Sequence, residues 1–238
     1  MVVSKDVRDP DTEQACRALV DEVPGARLLE ADPAPLDLGT YAEIAQAVES
    51  RFLCFLNSES RPLDPRWLEK LVEHATAPGI GLVGASGSYE SFSSNAPFIT
   101  RPLRNRQFPP FPNPHVRTNA MIISRNLMSS LDWGRVTRKL DAWKLESGWQ
   151  NITRQVWDRR LESLVVGRDG HAYDRDRLYE SNTFRRGSQP NLLVADKRTL
   201  EFETASPDRR RWLFELAWGK GAIDTDDPAQ AWTGPASA

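Results

Sequence analysis

The stretch Arg51-Phe-Leu-Cys-Phe-Leu-Asn-Ser-Glu-Ser-Arg-Pro62 decides how the fold is read. Its unbroken apolar run over 52–56 stops abruptly at Asn57-Ser58-Glu59. A continuous run of this length predicts a strand buried on both faces, as in a parallel sheet. The following Leu63-Asp-Pro-Arg-Trp-Leu-Glu-Lys-Leu71 predicts a helix over 65–74. Ligands of open α/β sheets bind beyond the carboxyl ends of such strands, so Asn57 and Glu59 fall where a ligand sits. Two oxygen-bearing side chains one residue apart can hold a hard divalent cation, Mg or Mn, against a diphosphate.

Working outward, the same alternation recurs. Strands are expected at 1–4, 26–31, 79–84, 120–124 and 164–167, with helices between them. The first helix opens at Asp9-Pro-Asp-Thr12, a capping sequence, and closes at Pro24-Gly25. A second is expected over 41–48, after a loop at 33–39. Further helices are expected over 125–131, 149–161 and 208–218. The pattern predicts an α/β fold: a mostly parallel, Rossmann-like sheet flanked by helices in a single domain over 1–219. Residues 86–114 lack periodicity, and a loop of that length in a compact domain is usually functional or mobile. The Asp-, Pro-, Ala- and Gly-rich segment 220–238 reads as a disordered tail.

Composition narrows the class. The 238 residues carry a net charge of −2, which gives no broad electrostatic case for nucleic acid. No apolar run approaches the ~20 residues needed to cross a bilayer. Met1-Val-Val runs straight into Ser4-Lys5-Asp6, unlike a signal peptide, so a cytoplasmic location is expected, with peripheral membrane contact still open. Cys16 and Cys54 read as free thiols. Gly84-Ala-Ser-Gly-Ser88 is neither a nucleophile elbow nor a P-loop, because it lacks the closing Gly and the Gly-Lys-Ser/Thr.

The stretch from Phe52 through Leu71 resembles the strand and Asp-x-Asp motif of family-two-like nucleotide-sugar glycosyltransferases with the GT-A fold. Asn57 and Glu59 stand at the two acidic positions, and the first is neutral here. Val2-Val-Ser-Lys-Asp6 and Asp9-Pro-Asp-Thr12 are similar to the second strand and helix of that family's donor half. On this match the first βα unit, which lies centrally in the sheet, is not represented. Such a gap would leave unpaired strand edges.

The resemblance implies transfer of a sugar from a nucleoside-diphosphate donor to the hydroxyl of a saccharide or lipid-linked acceptor, with inversion. Glu146, in Asp141-Ala-Trp-Lys-Leu-Glu-Ser-Gly-Trp-Gln150, matches the general base, with Asp141 as substitute. Arg117 and Asn119, in the segment that closes over donor and acceptor, match a phosphate and an acceptor contact. Arg117 has the alternative of pairing with a neighbouring carboxylate. Arg185 is expected to add positive charge near the diphosphate, and His171 to join Asn57 and Glu59 on the metal. His115 is a further candidate for a substrate contact, and Trp149 for a sugar platform. The alternative implied function is a catalytically inactive relative that binds carbohydrate or regulates a partner.

Overall fold

A computed structural model describes residues 2–5, 10–30, 37–57, 59–94 and 99–230. Part of the 33–39 loop, and the tail beyond 230, lie outside the described residues. In the first part of the chain, strand β1 (Val2–Lys5) and helix α1 (Pro10–Asp21) precede β2 (Arg27–Glu30) and α2 (Asp37–Ala47). The decisive run is β3 (Phe52–Leu56), followed by β4 (Arg61–Pro62), α3 (Trp67–Ala75) and β5 (Ile80–Gly84). The long middle segment contains β6 (Gly87–Ser88), α4 (Arg101–Asn105) and β7 (His115–Val116). Then come β8 (Ala120–Ser124), α5 (Arg125–Ser130), α6 (Lys139–Ser147), α7 (Ile152–Asp158) and β9 (Glu162–Val166). The chain closes through β10 (Ala172–Tyr173), β11 (Val194–Ala195), α8 (Lys197–Thr204) and α9 (Pro207–Trp218).

The fold is α/β, but its main sheet is mixed. Its order is β10-β9-β5-β8-β3, and only β5 and β9 are parallel neighbours. The expectation of a mostly parallel sheet is therefore corrected. The cause is local. The two ends of the long segment after β5, Ala85 and Ala120, meet at the carboxyl end of that strand. Ala85 N–H donates to the Ala120 carbonyl at 3.0 Å. The next strand, β8, can only run back, and it wedges antiparallel between β5 and β3. The strands β3, β5 and β9 still point the same way, so their carboxyl ends share one rim.

The expectation that β3 is buried on both faces is also corrected. Leu53 and Phe55 are buried, whereas Phe52 and Cys54 are half-buried and Leu56 is exposed. β3 is the edge strand, hydrogen-bonded to β8 alone among the strands. The runs that are sealed on both faces are β5 and β8. β1 and β2 form a separate parallel pair, apart from the five-stranded sheet.

Period-two alternation sorts the sheet's side chains into two cores. Leu53, Phe55, Leu82, Met121, Ile123 and Val165 face a layer that includes α2, α5, α6, α7 and α9. Val83, Ala120, Ile122 and Val166 face Leu71 and Ala75 of α3, with Leu193 and Val194. Trp218 is fully buried, and its indole N–H donates to the Phe184 carbonyl at 2.9 Å, which satisfies the one polar atom it carries inside. Both cysteines are free and half-buried; burial pushes the Cys54 thiol up to about 12.

Residues 221–227 pack onto the body of the protein. Arg186 donates to the Asp227 carbonyl at 2.6 Å, and Asn182 to the Asp226 carbonyl at 2.8 Å. Arg210 pairs with Asp224 at 3.4 Å. Among the described residues, no helix is long and apolar enough to cross a membrane.

Candidate functional site

A cleft of about 340 Å³ opens at the carboxyl end of β3, against the segment that leads into β8. Five of the ten residues singled out in the sequence line it: Asn57, Glu59, Arg117, Asn119 and Glu146. Thr118, Lys139, Trp143, Asp196, Lys197 and Arg198 complete much of the wall. A smaller compartment of about 200 Å³ adjoins it, lined by Ser88, Glu90, Phe92, His115 and Ser147. Arg117, Trp143, Glu146 and Arg198 line both, so Glu146 stands at the junction.

The first wall is a turn stitched to β8. Asn57 N–H and the Ser60 hydroxyl both donate to the Asn119 carbonyl, at 3.1 and 2.8 Å. Asn57 Oδ1 turns inward, accepting from Glu59 N–H at 3.2 Å and sharing the single Ser60 hydroxyl proton with the Asn119 carbonyl, each 2.8 Å from Ser60 Oγ. Asn favours such turns because its side chain mimics the backbone. Glu59 is left free to face the cleft. Its side chain is 53% exposed, and Lys197 lies 3.6 Å away.

Glu146 sits in the last turn of α6, not ahead of a helix. A carboxylate there gains nothing from the helix dipole, which favours anions at the opposite end. Its position is therefore not a capping role. It is half-buried, and the Thr118 hydroxyl donates to its Oε1 at 3.3 Å. Asp141 is the residue that caps: its Oδ2 accepts from Arg138 N–H at 3.1 Å at the start of α6. The cap and the flanking Arg138 and Lys144 hold its carboxyl below the usual range despite an opposing desolvation. It does not line either compartment.

Arg117 is positioned by the close approach of β7 to the end of β5. A Cβ on Gly84 would lie 2.2 Å from Val116 Cγ1, so only glycine lets the two meet there. The Arg117 guanidinium donates to Ser86 Oγ at 3.2 Å and to Asp196 Oδ2 at 2.6 Å, and lies 4.0 Å over the Phe184 ring. Asp196 also caps α8, accepting from Arg198 N–H and Thr199 N–H at 3.0 and 2.9 Å. Desolvation alone would raise its carboxyl; the Arg117 charge and these hydrogen bonds outweigh it and lower it. Asn119 Oδ1 accepts from the Ser86 hydroxyl, and its buried Nδ2 has no partner among the described residues.

Two expected residues lie elsewhere. Arg185 is 1% exposed and packs on Phe184, 3.6 Å from Glu90 and 3.7 Å from Glu201. Burial lowers its pKa to about 10. It backs Glu90 from inside and does not line the cleft. His171 sits beside Asp169 in the turn before β10, 81% exposed. β10 and β3 are the opposite edges of the sheet, four strand spacings apart, or about 19 Å. His171 is thus not brought to Asn57 and Glu59. Trp149 also misses both compartments, its indole N–H donating to the Asn105 carbonyl. Trp143, three residues before Glu146, takes that place and packs on Phe92 with ring centroids 4.7 Å apart.

The donor set bears on a divalent cation. Among the described residues, no three of His, Cys, Asp and Glu cluster as a metal cage. Asn57 Oδ1 is already engaged, which leaves Glu59 as the available ligand. A single carboxylate suits Mg or Mn only when the substrate's phosphates and water supply the rest.

No family model matches the chain, and no curated protein matches it.

Proposed function

We propose that the chain is a GT-A-like glycosyltransferase that moves a sugar from a nucleoside-diphosphate donor to an acceptor hydroxyl. The observation that carries this reading is Glu146 at the junction of two compartments. One side is flanked by Glu59, Lys139, Lys197 and Arg198, a mixed rim suited to a diphosphate. The other has aromatic and hydroxyl-bearing walls, suited to a saccharide. The acceptor oxygen attacks the anomeric carbon as the bond from that carbon to the diphosphate oxygen breaks. The acceptor proton passes to Glu146, and the nucleoside diphosphate leaves. Attack from the face opposite the leaving group inverts the anomeric centre. Thr118 orients the Glu146 carboxylate through its hydrogen bond. Arg198 and Lys139, both on the cleft wall, offset charge on the leaving group. When Mg or Mn is bound, with Glu59 as its ligand from the chain, it stabilises the same charge as a Lewis acid.

A second reading has an observation in its favour. Arg117, expected on the donor's phosphate, and the Asn57 oxygen, expected on the metal, are satisfied internally, as in a relative that binds carbohydrate without transferring it. Calorimetry with nucleoside diphosphates, with and without Mn, separates the two. Binding that weakens in Glu59→Ala supports the transferase reading. A folded chain that binds no nucleotide supports the other.

A further inference from the structure

His115 occupies β7 on the wall of the smaller compartment, and it is 4% exposed. Its Nδ1 lies 2.8 Å from the carbonyl of Asn113. A carbonyl only accepts, so Nδ1 carries the proton in that bond. The neutral ring then has a bare Nε2, a hydrogen-bond acceptor. Nε2 has no partner among the described residues, and it is not sealed off as Asn119 Nδ2 is. Burial disfavours the imidazolium, and so does Arg117. The hydrogen bond to the Asn113 carbonyl, Glu146 and Glu90 favour it, but the net direction is towards the neutral ring. Arg198 lines the same compartment and adds a further positive charge.

The compartment is rich in acceptors: Glu90, Glu146, two serine hydroxyls and His115 Nε2 surround one tilted aromatic pair, Phe92 and Trp143. Such walls match a ring that is apolar on one face and bears O–H donors at its edge. We infer that the smaller compartment receives an uncharged, hydroxylated sugar ring, with one ligand hydroxyl donating to His115 Nε2 and another held at Glu146. The inference rests on the transferase reading for its reaction, but not for its binding. It makes His115 a direct ligand contact that fixes which hydroxyl meets the base.

The chain has three histidines, so a histidine-labelled sample gives a readable nitrogen spectrum by NMR. At neutral pH the His115 ring is expected to be protonated at Nδ1 and bare at Nε2. Adding methyl glycosides of glucose, galactose, mannose or N-acetylglucosamine should shift His115 Nε2, leaving His74 and His171 unmoved. His115→Phe should weaken that binding by roughly three- to tenfold, the worth of one neutral hydrogen bond. His115→Gln, which keeps an acceptor, should retain most of it. A proton on Nε2, a signal that none of these probes moves up to its solubility limit, or equal binding by His115→Phe overturns the inference. Nucleoside-diphosphate binding is measured on the same samples. If it persists while the sugars leave Nε2 unmoved, this inference falls and the transferase reading stands. If neither ligand binds, both fall.

Discussion

Arg117 and Asp196 form a buried ion pair, 2.6 Å from Nη2 to Oδ2, with each side chain no more than 5% exposed. They lie 79 residues apart in sequence and tie the segment after β7 to the amino end of α8. Both residues line the cleft, and so do Lys197 and Arg198, which follow Asp196 in the chain.

Breaking this pair from one side strands a buried charge. Arg117→Met and Asp196→Asn are each expected to lower unfolding stability by about 3–5 kcal/mol. Denaturant unfolding checks this. The Asp196 carboxyl is lowered in the fold, so its contribution is present above the unfolded value of 3.8. It is lost as pH falls from there through the folded value. A cost within error of zero would mean that the pair is not formed.

His115 gives a separate acid signature. Its ring is held neutral in the fold, while the unfolded chain takes up a proton near 6.5. The unfolded state therefore binds more protons below that pH, and stability should fall as pH drops through it, levelling off below the folded value. His115→Gln should flatten this part of the profile, as read by unfolding from pH 8 to pH 5.

Arg185 tests whether a buried guanidinium serves the ligand. Its Nε and Nη1 make no hydrogen bond among the described residues, and its contacts are Phe184, Glu90 and Glu201. Arg185→Met should leave nucleotide affinity within about twofold, because the side chain lines neither compartment. A tenfold loss would restore the phosphate role expected from sequence.

With Glu59 as the available ligand, the chain alone should bind Mn weakly. Affinity should rise when a nucleoside diphosphate is added, and Glu59→Gln should remove that gain. Calorimetric titration of Mn with and without nucleotide decides the point. Tight Mn binding without nucleotide would require ligands beyond those described.

How much of this was legible in sequence depends on the kind of signal. The runs at 52–56 and 120–124 give β3 and β8 with their ends in place, because a continuous apolar segment bounded by polar residues has little other use. Strand direction was not legible. It depends on where residues 85–119 leave the chain, and no local pattern encodes that. Helix α6 was missed because Lys139-Leu-Asp-Ala-Trp-Lys-Leu-Glu-Ser147 shows no clear apolar stripe; its outer half lines a cleft instead of a core. With it went Trp143, one turn from Glu146. Helix α8 was also missed, although it begins at an Asp-x-x-Thr capping sequence, Asp196 to Thr199, a readable signal that would have pointed to Lys197 and Arg198. The Arg117 pairing was stated only as an alternative, since no sequence spacing names its partner.

The most direct test of the central claim is a transfer assay that follows release of nucleoside diphosphate from a panel of nucleoside-diphosphate sugars, run on the intact chain and on Glu146→Gln. The account predicts sugar-dependent release by the intact chain, reduced by about 10²–10⁴-fold in the variant, with nucleotide affinity unchanged. Equal turnover by a folded Glu146→Gln chain would contradict it.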